Sequence, residues 1–264
     1  MTWNGHAALT SRNATRFTAE VDDHWSALSG LHGGVVAGLM AEAVEAVLGD
    51  DGGASAATLR AATFGFVRTN RPGALDIDVD VVRRGRSMVT SHVTTSRAAT
   101  VTTVGRTHHS AARDGHEFSD AAPAAPRPPD TVAFDPPAPN HFANVDLHLH
   151  PDTQPFCGAD RAEWIGWGRP RHGDVVTSAW LVMFGDLLPP AVFARVEQPS
   201  PAVSVEYSIQ IHDDAGSWSL APGEYLATRA HAFHSHRGFA IEDGSIHLPD
   251  GALLATVRQT RLAG

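Results

Sequence analysis

The stretch LHGGVVAGLMAEAVEAVL, Leu31 to Leu48, decides how this chain is read. Its two adjacent glycines, Gly33 and Gly34, allow a tight turn and a close approach to bare peptide N–H groups. The apolar run behind them predicts a helix over Gly34–Leu48. The start of such a helix offers unpaired N–H donors and the positive end of the helix dipole. That is a place to hold a carbonyl oxygen as it becomes an oxyanion. The alternative is that the glycines only open a packed helix, and the stretch alone leaves both readings open.

Strand-like runs follow the helix, at Thr58–Val67, Leu75–Arg83, Ser87–Ser96 and Thr100–Ser110. Leu75, Ile77, Val79 and Val81 alternate with Asp76, Asp78 and Asp80, the period of a half-buried strand. Asn70-Arg71-Pro72-Gly73 and Arg84-Gly85-Arg86 are turns. The segment Ala121–Asn140 then carries Pro123, Pro126, Pro128, Pro129, Pro136, Pro137 and Pro139, which predicts an extended linker. Beyond it the same order of elements recurs. A helical stretch over Val175–Leu188, stopped by Pro189-Pro190, precedes runs at Val203–His212, Glu224–Phe233, Gly238–His247 and Ala252–Arg261. In the first of these, Val205, Tyr207, Ile209 and Ile211 are expected on one face and Glu206, Ser208, Gln210 and His212 on the other. The repeat is one of element order, without identity between the halves. A helix and a long meander, twice over, predict an α+β fold in which each sheet wraps a central helix; meeting edge strands would fuse the sheets.

Composition narrows the function. The chain has 264 residues, 42% of them hydrophobic, with a formal net charge of -9. An acidic chain argues against nucleic acid as a partner. The single cysteine, Cys157, excludes an internal disulfide and a cysteine zinc site. The N-terminus has neither a basic start nor an apolar run, and the longest apolar stretch carries Glu42 and Glu45. A cytoplasmic location without membrane insertion is expected. There is no Gly-x-Ser-x-Gly elbow, phosphate-binding loop or dinucleotide fingerprint.

Five stretches in order carry a resemblance: LHGGVVAGLMAEAVEAVL (Leu31–Leu48), TFGFVRTNRPGALDIDVDVVRRGRS (Thr63–Ser87), FGDLLPPAVF (Phe184–Phe193), SVEYSIQIH (Ser204–His212) and DGALLATVRQTRL (Asp250–Leu262). The chain resembles acyl-CoA thioesterases of the TesB type and their thioesterase-like relatives. The resemblance implies a double hotdog of two antiparallel sheets, each wrapping a central helix. It places an N-terminal hotdog at 1–115, a Pro-rich linker at 116–145 and a C-terminal hotdog at 146–264. It implies hydrolysis of acyl-CoA to free acid and CoA, with no cofactor and no metal, by a chain that forms a homodimer.

In that family an Asp, a Thr and a Gln of the second hotdog position the attacking water. By resemblance the Asp position falls on Glu206, the Gln position on Gln259 and the Thr position on His231, with Thr228 close by. A carboxylate in reach of a water acts as general base, and an amide orients water or carbonyl. The N–H groups of Gly34 and Val35 are expected to take the oxyanion, with Gly33 close to substrate. His32 is expected to cap the helix turn or touch substrate. The mechanism needs an apolar tunnel ending beside Glu206, Gln259 and the Gly34 N–H. Glu42, one step past the place where single-hotdog relatives carry a helix carboxylate, reads as structural or exposed. Arg84, with Arg68, Arg71, Arg83 and Arg86, lies where a guanidinium would clamp a CoA phosphate. Sixteen histidines include His148/His150 and His234/His236 at strand spacing, but these read as surface histidines and not as metal ligands. Two other functions stay open: a non-catalytic acyl-CoA or acyl-chain binding protein, and a hotdog hydratase acting on enoyl-thioesters.

Overall fold

The apolar run behind Gly33-Gly34 winds into α1 (Gly33–Asp50), and a second helix, α2 (Ser178–Leu187), lies against it. Every residue of α2 is buried, and Val35, Leu39, Met40, Ala43 and Val44 of α1 are fully buried. Helices apolar on nearly all sides belong at the centre of a core. They cross through glycine: a Cβ on Gly34 would stand 2.5 Å from the Met183 carbonyl oxygen, and one on Gly38 2.8 Å from that of Ala179. Since 34 meets 183 and 38 meets 179, the helices run antiparallel. The N-terminus of α1 therefore lies beside the C-terminus of α2.

The computed structural model describes residue 3 and residues 5–50, 57–136 and 139–264. Around the helices run β1 (Ala7–Asn13), β2 (Arg16–Val21), β3 (Thr58–Phe66), β4 (Gly73–Arg84), β5 (Val89–Arg97), β6 (Thr100–Ser110), β7 (Val132–Ala133), β8 (Val145–Leu149) and β9 (Glu163–Pro170). Then come β10 (Val175–Thr177), a short helix α3 (Val192–Arg195), β11 (Ala202–Ile211), β12 (Ser217–Ser219), β13 (Leu226–His236), β14 (Phe239–His247) and β15 (Leu253–Ala263).

Where two sheets are expected, the strands form one 13-stranded antiparallel sheet in the order β1-β2-β4-β5-β6-β3-β11-β15-β14-β13-β9-β8-β7. β3 pairs with β11, opposing Phe64 to Tyr207 and Gly65 to Glu206. The two rings stack at 6.1 Å across this seam. Joining the halves satisfies two edges that would otherwise be open. Read outward from the seam, β3-β6-β5-β4-β2-β1 matches β11-β15-β14-β13-β9-β8.

The eight expected strands all form, and the last strand of the first half spans Thr100–Ser110 as predicted. The second helix is shorter than predicted. Val175-Val176-Thr177 is a β-branched run that pairs as β10 with β12, and α2 begins only where the Thr177 hydroxyl accepts the Trp180 N–H (3.2 Å). The hairpin β1–β2 and the pair β8–β9 were not expected. Residues 111–131 have no regular secondary structure but pack on the second half. Trp167 Nε1 donates to the Ala125 carbonyl (3.0 Å), and the Arg127 guanidinium lies 4.8 Å from the Tyr225 ring centre. No helix among the described residues is long and apolar enough to cross a membrane.

Gly38→Ala is expected to destabilise the protein by about 1–3 kcal/mol, because its Cβ meets backbone and the Trp3 ring at 2.6 Å. Gly49→Ala, where a Cβ meets nothing within 4 Å, is expected to be neutral or stabilising by up to about 1 kcal/mol. Urea denaturation of the two variants measures the difference; equal effects would refute the close crossing.

Candidate active site

A β-bulge decides which side chains enter the core beside the helix ends. Along β11, Ser204 opposes Arg261 and Glu206 opposes Thr260, so Val205 is the extra residue and the pairing shifts there. A bulge reverses which residues point inward. Before it Ser204 points in; after it Tyr207, Ile209 and Ile211 are buried. Val205 and Glu206 are exposed. Gln259 and Arg261 of β15 and Glu242 of β14 point the same way as Ser204, and all three are buried.

Above them sits Asp186, in the last turn of α2 and 3% exposed. Ser204 Oγ lies 3.0 Å from Asp186 Oδ1 and 2.9 Å from Gln259 Oε1, and its one proton serves one of them at a time. Gln259 Nε2 donates to the Gly185 carbonyl (3.3 Å). Arg261 Nη1 donates to Ser204 Oγ (2.9 Å) and its Nε to Glu242 Oε2 (2.5 Å). Glu242 Oε1 accepts the Ala191 N–H (2.7 Å), just beyond Pro189-Pro190. A continuous polar network thus links α2 to β11, β14 and β15. Tyr207 adds a further tie, donating to the Val182 carbonyl of α2 (2.9 Å).

The N-terminus of α1 closes the other side. The Gly34 N–H donates to His32 Nδ1 (3.1 Å), which puts the ring proton of neutral His32 on Nε2, 3.7 Å from Asp186 Oδ2. His32 stacks on His141 at 4.4 Å, and His141 Nδ1 lies 3.2 Å from the Ser26 carbonyl, which accepts its proton. Burial, with Arg261 nearby, pushes His32 down to about 3, so it is neutral near pH 7. Burial and the His32 ring hold His141 well below the usual range. Burial raises the Asp186 carboxyl, against the opposing pull of Arg261, the Ser204 hydroxyl, His141 and the Gly34 N–H. The site is a buried carboxylate at the positive end of α1, with one guanidinium a hydroxyl away.

Of the residues expected from the sequence, Gln259, His32, Gly33 and Gly34 are brought together here. His32 caps the helix turn, as expected. A Cβ on Gly33 would stand 2.9 Å from Asp186 Oδ2, so only glycine lets the carboxylate approach. The Gly34 N–H is taken by His32; the Gly33 and Val35 amides have no acceptor among the described residues.

Glu206 does not join the site, because the bulge at Val205 turns it to the outer face. His231 does not join it either. It shares a cross-strand row with Asp243, Arg258 and Glu163, and Arg258 is 61% exposed, so this row lies on the outer face. Thr228 is buried and donates to the Ser245 carbonyl (3.1 Å). Glu42 accepts from Trp3 Nε1 (2.8 Å), a packing role. Arg84 lies in the row Arg84–Val89–His109–Leu59, at the far end of β3 from Phe66, whose ring meets Gly33. Seven residues at roughly 3.3 Å each put it about 23 Å away along the strand. Arg68 and Arg71 instead flank Asn70, whose carbonyl accepts the Leu31 N–H (2.8 Å).

Asp186, Ser204, Arg261 and Glu242 were missed. The signal for Asp186 was present: it is the one acid in an otherwise apolar helix. Such a residue is buried only with partners. No pattern in the residues announces the bulge that selects Ser204 over Glu206. A narrow crevice lined by Trp164, Leu188, Pro189, Gly185 and Gln259, among others, reaches the network. Glu206 is not among its lining residues.

Helices wrapped by a long antiparallel meander, duplicated in one chain, are the hotdog class of fold, and solved structures agree. A protein of unknown function with hotdog fold from Alicyclobacillus acidocaldarius superposes with TM-score 0.87 at 21% identity, over 100% of this chain and 98% of that one. The acyl-CoA thioesterase II TesB2 from Mycobacterium marinum gives 0.73 at 18%, over 97% and 96%. A tesB protein from Mycobacterium avium subsp. paratuberculosis gives 0.72 at 16%, over 97% and 95%. Curated proteins offer no match. The family models for the acyl-CoA thioesterase N-terminal domain and C-terminal domain match residues 21–107 and 119–263. The chain belongs to the acyl-CoA thioesterase family; it is a thioester hydrolase.

Arg261→Met is expected to cost about 3–5 kcal/mol in urea denaturation, because it strands Glu242 as an unpaired buried charge. Adding Glu242→Gln, which removes that charge and keeps the acceptor for Ala191, is expected to restore most of the loss. A double variant as unstable as the single one would show that the pair is not what holds this region.

Proposed function

We propose that Asp186, Ser204 and Gln259 perform the hydrolysis of acyl-CoA by direct attack of water. The observation that carries this reading is the buried Asp186 carboxylate, linked through Ser204 to Gln259 and set against the N-terminus of α1. Burial lifts its basicity, which suits a general base. In the proposed step the water oxygen bonds to the thioester carbonyl carbon and its proton passes to Asp186. Ser204 and Gln259 hold the water, and the oxyanion lies against the Gly33 and Val35 amides. The C–S bond then breaks, the thiolate leaves with its electron pair, and the proton on Asp186 passes to the sulfur. Free acid and CoA result, with no covalent intermediate.

Arg261 is given two tasks in this reading. Its charge keeps Asp186 ionisable in a buried place, and its donation to Ser204 directs the hydroxyl proton toward Asp186 or Gln259. For the CoA phosphates the proposal replaces Arg84 with Arg68 and Arg71, which lie on the turn next to the His32-Gly33 mouth. A cytoplasmic location, the division at 1–115, 116–145 and 146–264, and a homodimer complete the proposal. Val203, Leu262 and Phe239 form an exposed apolar row on the outer face of the sheet, which supports the homodimer.

The test is release of free CoA thiol from short, medium and long acyl-CoAs. Asp186→Asn is expected to lower kcat by about a hundredfold or more. Glu206→Gln and His231→Ala are expected to stay within about twofold of the parent, as surface residues do. Full activity in Asp186→Asn, or loss in Glu206→Gln, overturns the assignment.

The pH dependence has a definite sign. The base works ionised, so kcat/KM falls as pH is lowered through the Asp186 pKa. That midpoint lies above the ordinary carboxylate value of 3.8. A midpoint at or below that value would show that another group limits the rate.

A further inference from the structure

Outside the active site, the end of the β1–β2 hairpin gathers two imidazoles and a carboxylate. Asp22 N–H donates to the His6 carbonyl (3.0 Å), which fixes residues 6 and 22 opposite one another. His6 Nδ1 lies 2.8 Å from Asp22 Oδ2 and His24 Nδ1 3.3 Å from Asp22 Oδ1. The two rings stack face to face, 3.5 Å between centroids and 16° between planes. One ligand atom from each of the three residues lies within 4.8 Å of the other two. A shallow hollow lined by Asp23, His24, Pro136, Pro139, Asn140 and Ala143 opens beside His24. We propose that His6, Asp22 and His24 bind a borderline divalent transition metal ion of the Zn²⁺ class, which clamps the start of β1 to the 22–26 turn.

The donor set selects the ion. Two imidazole nitrogens and one carboxylate oxygen suit zinc and its neighbours, at about 2.0–2.2 Å each. Hard Mg²⁺ and Ca²⁺ prefer sets of oxygen ligands. Three protein ligands leave a position open for water or another donor. The bonding change balances without net proton release: the ion takes the Nδ1 lone pair of each ring, and each ring proton moves to Nε2. The ion replaces the His6–Asp22 hydrogen bond and the close approach of His24 Nδ1 to Asp22, while Asp22 Oδ1 still accepts the His24 N–H (2.9 Å).

The clamp has a mechanical consequence because the turn supports the catalytic end of α1. The Trp25 carbonyl accepts the His32 N–H (2.8 Å) and the Ser26 carbonyl accepts the His141 N–H (3.2 Å). The His24 carbonyl accepts from Asn144 Nδ2 (2.9 Å). None of the three proposed ligands belongs to the Asp186 network, so their loss leaves the basal thioesterase activity in place.

The test is calorimetric titration of chelator-stripped, dialysed protein with Zn²⁺ alone. One equivalent is expected to bind, and His6→Ala and His24→Ala are each expected to weaken it by about tenfold or more. A His234→Ala/His236→Ala variant is expected to bind as the parent does. Melting temperature is expected to rise by about 5 °C at a hundredfold excess over Kd. Amide exchange over residues 22–26 is expected to slow with the ion present. Absence of one-equivalent binding, binding unchanged by either substitution, dependence on His234 and His236, or equal competition by Mg²⁺ would each overturn the site. Unchanged exchange over 22–26 would overturn the clamp. Circular dichroism and basal thiol release confirm that the variants fold.

Discussion

The close antiparallel crossing of α1 and α2 is the constraint on which the rest depends. It exists because Gly34 and Gly38 let α1 lie against the α2 backbone at Met183 and Ala179. A larger residue at either place would push the helices apart. The crossing sets the positive end of α1 against Asp186 in the last turn of α2. Gly33 removes the Cβ that would stand between them. Asp186 thus has the amide-rich end of α1 as part of its surroundings, a favourable place for negative charge.

That placement alone would not sustain a buried carboxylate. An isolated charge in the core neutralises or finds partners. Here the partners arrive from the sheet, through the bulge at Val205 that turns Ser204 inward. Arg261 donates to Ser204 and ends in Glu242, which in turn holds the Ala191 amide beyond the end of α2. The guanidinium is therefore anchored on two sides and cannot swing to form a tight pair with Asp186. A direct Arg–Asp pair would depress the carboxylate and weaken it as a base. With a hydroxyl between them, the charge is close enough to permit ionisation, while burial still raises the carboxyl.

Much of the fold is legible in the residues because each element carries its own periodicity. Leu75 to Val81 alternate cleanly, and the structure extends that strand over Gly73–Arg84. The hairpins that open each half are not legible. β1 is a mostly exposed edge, Ala7–Asn13, so burial imposes no pattern on it. β9, Glu163–Pro170, carries two glycines and a proline. The repeat is not one of element order alone, as expected above, and is corrected at one place: His172-Gly173-Asp174-Val175-Val176 repeats His32-Gly33-Gly34-Val35-Val36 with one change. The site was legible only in part. Gln259, named by the resemblance, and His32, Gly33 and Gly34, named by the His-Gly-Gly turn, are the expected residues that lie near Asp186. Glu206 misled because the resemblance put the carboxylate of the second half on this strand; alternation correctly sets it opposite Tyr207, Ile209 and Ile211, and the extra residue at Val205 turns Ser204 inward instead. That bulge is a property of pairing with β15, which a single strand does not encode.

The duplication explains why the chemistry is one-sided. Each half has a bulge at the start of its seam strand, between Leu59 and Ala61 and between Ser204 and Glu206. Matching the registers places Leu59 where Ser204 stands, Thr107 where Gln259 stands, Ser91 where Glu242 stands and His109 where Arg261 stands. The side-chain polar atoms of Ser91, Thr107 and His109 are buried without partners among the described residues. Glu45 lies toward Ser178 at the start of α2, as Asp186 lies toward the start of α1. The first half thus has a carboxylate at a helix start but no hydroxyl at Leu59 to relay a charge and no guanidinium to supply one. Burial, with Glu42 beside it, lifts Glu45 to about 7, while burial pushes the neutral His109 down to about 4. A base in that half would be half protonated near neutral pH, and its bonded partner, Ser178 at the start of α2, leads to no guanidinium. Only the half with the Arg261–Glu242 pair connects its carboxylate through a hydroxyl to a guanidinium, and that is where the hydrolytic reading places the chemistry.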